Sequence, residues 1–348
     1  DALPISVSRP DSVNYNLPTL LELSEDMDMA RLKEAVVGAL NAHPYLGTSF
    51  FVNENGEIMQ HRTERVFTTK DIEEVNAESI EELKGSLVQP FDLQNGALFR
   101  VKFIHADKKY FFIDVHHSVF DGVSKNILLR DISRAYAGET PAPEKYSGWE
   151  AALAEQKLFK SGHYDASKKY YTDLFDGVYN VSLPIGDVID LKETEKPSAE
   201  ALMMKGRSGT HGQVLSFCEK NGYSVNGFYT AVFGWLLAKY CGSEEAVFTT
   251  INNGRSDPRF AESVSMFVRT FPVLCRPENK EIDLYIHETT RQLSDSQLND
   301  TYSFAEMSRD LGITADVMFG YQGAVVSGET FCQAPIKQVA VEFDEDKA

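Results

Sequence analysis

Two adjacent histidines, followed by an aspartate and a glycine, are the residues of this chain best suited to chemistry. They stand in the stretch YFFIDVHHSVFDG, Tyr110 to Gly122. An imidazole with a pKa of about 6.5 can accept or hold a proton near neutral pH. Asp121 can brace a turn through hydrogen bonds, and Gly122 suits a backbone with positive φ or a point where another group comes close. The stretch therefore predicts a site that takes or positions a proton.

The segments around the histidines predict a strand, a sharp connection and a helix. Tyr110 to Val115 is an aromatic and β-branched run that follows a similar run, Ala97 to Ile104, and the polar turn between them predicts an antiparallel hairpin. Apolar residues at helical spacing after the motif, closed by Gly138, predict a helix. Side chains alternate along a strand, so we expect His116 and His117 to point to opposite sides.

The stretch HHSVFDG matches the HHxxxDG signature of the chloramphenicol acetyltransferase-like superfamily, which includes the condensation domains of nonribosomal peptide synthetases. Further segments resemble condensation-domain motifs in the same order and span nearly the whole chain. They are YNLPTLLEL (from Tyr15), LKEAVVGALNAHPYLGTSF (from Leu32), PFDLQNGALFR (Pro90 to Arg100), NNGRSDPRF (Asn252 to Phe260), VSMFVRTFPV (Val264 to Val273) and DVMFGYQG (Asp316 to Gly323).

The resemblance implies an α/β fold of two chloramphenicol acetyltransferase-like α/β sandwich subdomains, which form a V-shaped pseudo-dimer with a central tunnel. A length of 348 residues also exceeds what one core usually holds. The turn-rich, charged stretch Asp176 to Glu200 predicts the boundary. Residues 1–180 would form the N-terminal subdomain with the histidine motif, and residues 181–348 a C-terminal subdomain that we expect to be incomplete.

The resemblance also implies a reaction and its residues. His117 would be the catalytic residue, facing the tunnel, with His116, Asp121 and Gly122 as supporting residues and no metal. One carrier protein would deliver an acyl or peptidyl thioester on its 4'-phosphopantetheine arm, and a second would deliver the amine. Carrier proteins and an adjacent adenylation domain are therefore the predicted partners, and no intrinsically bound cofactor is expected. Backbone donors near Gly122 could stabilise the oxyanion.

One motif departs from the family pattern. The usual RHxxLRTxF segment appears as AHPYLGTSF, so Ala42 and Gly47 replace both expected arginines. The second arginine normally pairs with the motif aspartate, and a buried carboxylate without a partner is costly. Asp121 therefore needs another partner, for which the candidates are Arg255, Arg269 and Arg100.

Charge and composition argue against several classes of protein. The chain has 34 basic and 52 acidic residues and a formal charge of -18, which disfavours nucleic acids and anionic membranes as partners. No apolar run approaches the roughly 20 residues that span a bilayer, and no signal peptide opens the chain. The four cysteines lack the spacing of metal ligands, so we predict reduced thiols and a cytoplasmic location.

The leading prediction is an acyltransferase: a condensation domain that forms an amide bond between a carrier-bound acyl or peptidyl thioester and an aminoacyl acceptor. Three alternatives stay open. An epimerization domain shares the histidine signature but usually has a tryptophan after DGxS, where this chain has Lys125. The others are a coenzyme A-dependent acyltransferase of the same superfamily and a catalytically degenerate domain that docks carrier proteins.

Overall fold

The structure, a computed structural model, describes residues 11–94, 96–178, 183, 202–204, 206–323 and 330–341. The chain divides into two compact units. The first consists of Asp1–Leu153, Arg255–Phe267 and Val325–Ala348, and the second of Ala154–Gly254 and Val268–Ala324. The subdomain boundary predicted between residues 180 and 181 lies outside the described residues.

Twelve strands are found in the described part of the chain. In chain order they are β1 (Thr19–Glu22), β2 (Ser49–Val52), β3 (Ile58–His61), β4 (Ile72–Asn76), β5 (Phe99–His105), β6 (Lys109–Val115), β7 (Ala246–Asn252), β8 (Arg269–Cys275), β9 (Met318–Phe319), β10 (Thr330–Phe331), β11 (Ala334–Pro335) and β12 (Lys337–Val339).

The same described residues contain nine α-helices. They are α1 (Met29–Ala42), α2 (Glu81–Leu87), α3 (Gly122–Tyr136), α4 (Gly148–Phe159), α5 (His163–Leu174), α6 (Thr210–Asn221), α7 (Val225–Tyr240), α8 (Ile282–Leu298) and α9 (Phe304–Leu311).

A five-stranded sheet in the order β12-β1-β6-β5-β4 forms the centre of the first unit. β5 and β6 are the predicted antiparallel hairpin, with Phe99 opposite Val115. β1 lies antiparallel to β6 on its other side, and β4 runs parallel to β5. The hairpin that carries the histidines is thus in the middle of the sheet, with neighbours on both sides.

Helices cover both faces of this sheet. α1 and α3 pack against each other, and Leu32 and Leu128 from these helices share a core with Phe111 of β6. The next residue, Phe112, points to the other face and shares a second core with Leu87 of α2. Alternation of side chains along the strand therefore fills both cores, and the first unit is an α/β sandwich.

Local sequence signals set the ends of the two helices that matter for the site. α1 begins after Asp28, whose carboxylate accepts a hydrogen bond from Arg31 N at 3.0 Å, and ends before Pro44. α3 begins after Asp121, which caps it in the same way, and ends before Gly138, whose φ is +100°. The helix predicted after the histidine motif is confirmed.

The second unit contains a three-stranded sheet in the order β8-β7-β9. β7 pairs antiparallel with β8, with Thr250 opposite Phe271, and parallel with β9. Ser224 caps α7, and α7 packs against α8. These elements bury a separate core that includes Phe248 and Val273. The predicted α/β class is confirmed in both units, and the predicted V-shaped arrangement stays a prediction.

The structure also shows the state of the cysteines and the hydrophobicity of the helices. All four cysteines are free thiols, and Cys218, Cys275 and Cys332 are buried. Burial raises the pKa of the Cys275 thiol to about 11. Within the described ranges, no helix has both the length and the hydrophobicity that crossing a bilayer requires.

Candidate active site

The backbone of the two motif histidines is fixed where β6 ends. His116 N donates to Leu98 O at 2.8 Å, and His117 N donates to Tyr15 O at 2.7 Å. His116 also forms an isolated bridge with Asn16, next to the strand partner β1. The segments on both sides of β6 thus hold the histidines in register beyond the last residue of the strand.

The side chains of the two histidines lie in different environments. His116 is 3% exposed, and its Nδ1 accepts a hydrogen bond from Ser118 N at 3.2 Å and lies 2.8 Å from Ser118 Oγ. Burial, with a smaller effect of His117, lowers the pKa of His116 to about 4, so this ring is neutral at pH 7. His117 is half-buried, and its Nδ1 is buried without a hydrogen-bond partner in the described part of the chain.

Asp121 makes four hydrogen bonds although it is completely buried. Its Oδ1 accepts from Ser124 N at 2.8 Å, which caps α3, and its Oδ2 accepts from Phe267 N at 3.0 Å. Arg255 donates to both oxygens, from Nη1 to Oδ2 at 2.8 Å and from Nη2 to Oδ1 at 3.0 Å. This bidentate, charge-assisted pair offsets the cost of burying the carboxylate.

Arg255 also joins α3 to the segment Ser263–Phe267. Its Nη2 donates to Ser124 Oγ at 3.0 Å and to Ser263 O at 3.2 Å, and its guanidinium carbon lies 4.6 Å from the centre of the Phe267 ring. Ser124 Oγ in turn donates to Ser265 O at 2.7 Å and accepts from Ser265 N at 3.0 Å. We call Asp121, Arg255, Ser124 and the segment Ser263–Phe267 the aspartate brace.

The other two arginine candidates for Asp121 are wrong, because each binds a different carboxylate. Arg100 stands directly opposite Asp114 in the β5–β6 hairpin, and its Nη1 donates to Asp114 Oδ2 at 2.8 Å. Arg269, at the start of β8, donates to Glu155. In both cases the partner lies within the same compact unit as the arginine.

The expectation for the backbone at Gly122 is also wrong. Gly122 is the first residue of α3 and is not among the residues with positive φ. A Cβ built on it would meet no heavy atom within 4 Å, and the residue is exposed. The first turn of a helix accepts most residues, so neither backbone conformation nor close packing within the described structure requires glycine here.

The position of the missing second arginine is filled by other groups. A Cβ built on Gly47 would lie 2.8 Å from Thr63 Oγ1 and 3.4 Å from Arg65 Cβ. Thr63 Oγ1 donates to Gly47 O. The chain therefore supplies the guanidinium for Asp121 from residue 255, and the space beside residue 47 is used for packing.

The Ser124 hydroxyl and the segment Ser263–Phe267 were not anticipated as parts of the brace. Ser124, Ser263 and Ser265 are small and polar, and two of their contacts to Asp121 or Arg255 use backbone atoms that every residue has. The available signal was the pair of serines at alternate positions in SVSMF, shortly after the segment NNGRSDPRF.

In the part of the chain that the structure describes, no group of three His, Cys, Asp or Glu side chains could hold a metal ion.

Comparison with known proteins gives the family. The sequence profile of the Condensation domain family matches residues 3–344. The chain is 25% identical over 316 residues to bacitracin synthase 1 of Bacillus licheniformis, which covers 88% of this chain and 6% of that protein. It is 30% identical over 266 residues to tyrocidine synthase 3 of Brevibacillus parabrevis, covering 74% of this chain and 4% of that protein. The chain thus spans a small part of these relatives.

Solved structures give the same fold. The first condensation domain of the CDA synthetase matches with a TM-score of 0.72 at 15% identity, over 96% of this chain and 83% of that one. The epimerization domain from the third module of tyrocidine synthetase B matches with a TM-score of 0.71 at 18% identity, over 92% and 80% of the two chains. Together with the profile match, these similarities show that the chain is a nonribosomal peptide synthetase condensation domain by family.

Proposed function

We propose that this domain forms an amide bond between a donor acyl or peptidyl thioester and an acceptor amine, each carried on the 4'-phosphopantetheine arm of a carrier protein. The observation that carries the proposal is the complete aspartate brace beside His117. Asp121 keeps a bidentate arginine although the family arginines at positions 42 and 47 are replaced. The pair fixes the turn that follows His117, and a domain that uses this histidine for chemistry needs that turn in one position.

The reaction places simple demands on the site. The acceptor nitrogen attacks the thioester carbonyl, the carbon–sulfur bond breaks, and the donor arm leaves as a thiol after taking up a proton. The nitrogen loses one proton, so the sum of protons is unchanged. Holding the two arms together can supply several kcal/mol, and a hydrogen-bond donor aimed at the developing oxyanion adds typically 100-fold or more.

His117 would act through Nε2, because Nδ1 is buried. A buried N–H without an acceptor is rarer and more costly than a buried acceptor without a donor. In the resting domain this favours the tautomer with its proton on Nε2, from which the ring would donate a hydrogen bond to the carbonyl oxygen as it becomes an oxyanion. The first-turn amides of α3 at Gly122 and Val123 lack intrahelical partners and would be further donors.

The partners follow from the same chemistry. The domain would bind no cofactor of its own, and both substrates would arrive on carrier proteins, with an adenylation domain supplying the activated amino acid. Open space beside Gly122 is consistent with a pantetheine arm passing the motif. A cytoplasmic location stays a prediction.

The direct test is a condensation assay with both carrier proteins loaded, followed by mass spectrometry of the acceptor. We expect the acceptor to gain the acyl group and the donor to be left with a free thiol. His117→Ala should lower the rate by on the order of 100-fold or more. The exposed His61, changed to alanine, is the matched control and should leave the rate unchanged.

Other outcomes of this assay would overturn the proposal. A product formed only from coenzyme A thioesters would identify a transferase of free acyl donors. Racemised aminoacyl carrier without an amide would identify an epimerization domain. Binding of both carriers without turnover, with equal behaviour of the His117→Ala protein, would leave a docking domain.

A further inference from the structure

His43, in the stretch AHPYLGTSF, lies in a buried site that the proposed reaction does not use. Its side chain is 3% exposed and follows the last residue of α1. Nε2 lies 3.0 Å from Asp131 Oδ2, and Nδ1 lies 3.0 Å from Glu144 Oε2. A neutral imidazole has one N–H, so hydrogen bonds from both nitrogens to carboxylates require the imidazolium form.

Glu144 connects this imidazolium to the aspartate brace. Its carboxylate is 4% exposed, and the same Oε2 that faces His43 accepts a hydrogen bond from Val264 N at 3.0 Å. Val264 lies inside the brace segment, between Ser263, which binds Arg255, and Ser265, which binds Ser124. The orientation of Glu144 therefore helps to set where this segment presents its amides.

We propose that His43 is a positioning residue for the HHSVFDG motif: as an imidazolium it holds Glu144, and through Glu144 it fixes the segment Ser263–Phe267 against Asp121. The path has three links, each a hydrogen bond of about 3 Å, from His43 to Glu144, from Val264 to Glu144, and from Phe267 to Asp121. The part of this proposal that concerns the rate of condensation rests on the proposed function.

The charges around His43 agree with a stable imidazolium. Burial lowers the pKa of His43, but the hydrogen bonds with Asp131 and Glu144 outweigh burial, and the pKa lies above its ordinary value. Arg130 Nε donates to Asp131 Oδ1 at 2.9 Å. A cavity of about 540 Å³ borders His43 and is also lined by the charged residues Arg130, Arg134, Glu139, Lys145, Arg259 and Glu262.

The direction of the pH effect follows from the raised pKa of His43. A histidine whose pKa is higher in the folded than in the unfolded state stabilises the fold fully below about pH 6.5. This contribution is lost as the pH rises through the pKa of the folded state. The segment Ser263–Phe267 should therefore be held less firmly at alkaline pH. The rate of condensation should fall over the same pH range.

The test is a pH titration of the whole domain by NMR, following the His43 ring nitrogens and the Val264 and Phe267 amides. We expect the His43 ring to carry two N–H groups at pH 7. The chemical shifts of the Val264 and Phe267 amides should change with the same midpoint pH as the deprotonation of the ring. Glu144→Gln, which keeps an acceptor for Val264 but removes the charge, should move the ring and amide midpoints to lower pH. Glu139→Gln, in the same cavity lining, is the matched control and should move neither.

A His43 ring with one N–H at pH 7, or a Phe267 amide that does not follow the ring, would overturn the proposal. In the condensation assay, the alkaline decline of the rate should share the ring midpoint and shift with it in the Glu144→Gln protein. A wild-type domain without any condensation activity would refute the proposed function, while the ring and amide titrations would still decide the role of His43.

Discussion

Among its described residues, the first unit contains two buried aspartate–arginine pairs, and they differ in how completely the carboxylate is bound. Asp121 is 0% exposed and both of its oxygens are used, by Arg255 and by two backbone amides. Asp114 is also 0% exposed, but its bonds to Arg100 and Asn16 both go to Oδ2. Its Oδ1 has no hydrogen-bond partner in the described residues.

This difference affects how each pair responds to pH and to mutation. Burial raises the pKa of Asp114 to about 6, although Asn16 and Arg100 act in the opposite direction. Arg100 keeps 19% of its side chain exposed and can regain water, whereas Arg255 is 4% exposed and cannot. Burial thus gives a rigid brace only where donors occupy both oxygens, and the pair beside the motif is the one built that way.

The largest expected effect is on stability when Asp121 is removed. Asp121→Ala leaves the buried Arg255 without its carboxylate and removes the cap of α3, so we expect a loss of about 3 to 5 kcal/mol in the free energy of unfolding. Urea denaturation at pH 7 measures it. Asp114→Ala is the matched change, and it should cost clearly less because Arg100 can be hydrated. Equal losses would mean that the two pairs are equivalent.

The second effect is a pH dependence that belongs to Asp114. Its pKa is raised from 3.8 to about 6 on folding, so the folded state holds its proton more tightly than the unfolded state. Stability therefore falls as the pH rises from about 4 to 6, by roughly 2 to 3 kcal/mol in all. Asp114→Asn should remove this contribution, so the stability of the variant relative to wild type should increase between pH 4 and pH 7. A constant difference would show that Asp114 titrates normally.

The third prediction concerns the family arginine at position 47. Gly47→Arg should destabilise the domain by about 1 to 3 kcal/mol, because its Cβ would lie 2.8 Å from Thr63 Oγ1. For the same reason it should fail to restore an Arg255→Ala protein. Gly85→Arg, at an exposed helical glycine with open space around it, is the control and should cost nothing measurable. Rescue by Gly47→Arg would show that the family pairing is still available.

The smallest expected effect on stability is at Gly122. Gly122→Ala should raise the free energy of unfolding, by less than about 1 kcal/mol, because alanine favours the helix. Gly122→Val should also fold, and thermal melting checks both. If an arm passes the motif, Gly122→Val should block condensation while the alanine variant stays active. A fully active valine variant would place the arm elsewhere.

The sequence was sufficient for the parts of the site that are local in the chain. These parts are the alternation in β5 and β6, the Asp121 cap of α3, and Gly138, which follows the end of α3. All of them lie within about thirty residues of the histidines. The partner of Asp121 is 134 residues away, so three arginines were equally open until the fold was known. Arg100 was open because its cross-strand register with Asp114 depends on the exact hairpin turn. His43 gives no local signal in the sequence, because its carboxylate partners Asp131 and Glu144 are 88 and 101 residues away.

Arg255 binds Asp121 with both of its terminal nitrogens, and under the proposed function this pair keeps His117 in position for amide formation. The most direct measurement is the single-turnover rate of condensation with preloaded carrier proteins. It compares the wild type with the Arg255→Lys and Arg100→Lys proteins, under conditions where circular dichroism shows that both variants are folded. Lysine keeps the charge but loses the two-pronged contact with Asp121. We predict a rate at least about 10-fold lower for Arg255→Lys, equivalent to 1.4 kcal/mol, and a rate near wild type for Arg100→Lys. Equal rates for wild type and Arg255→Lys would contradict the account.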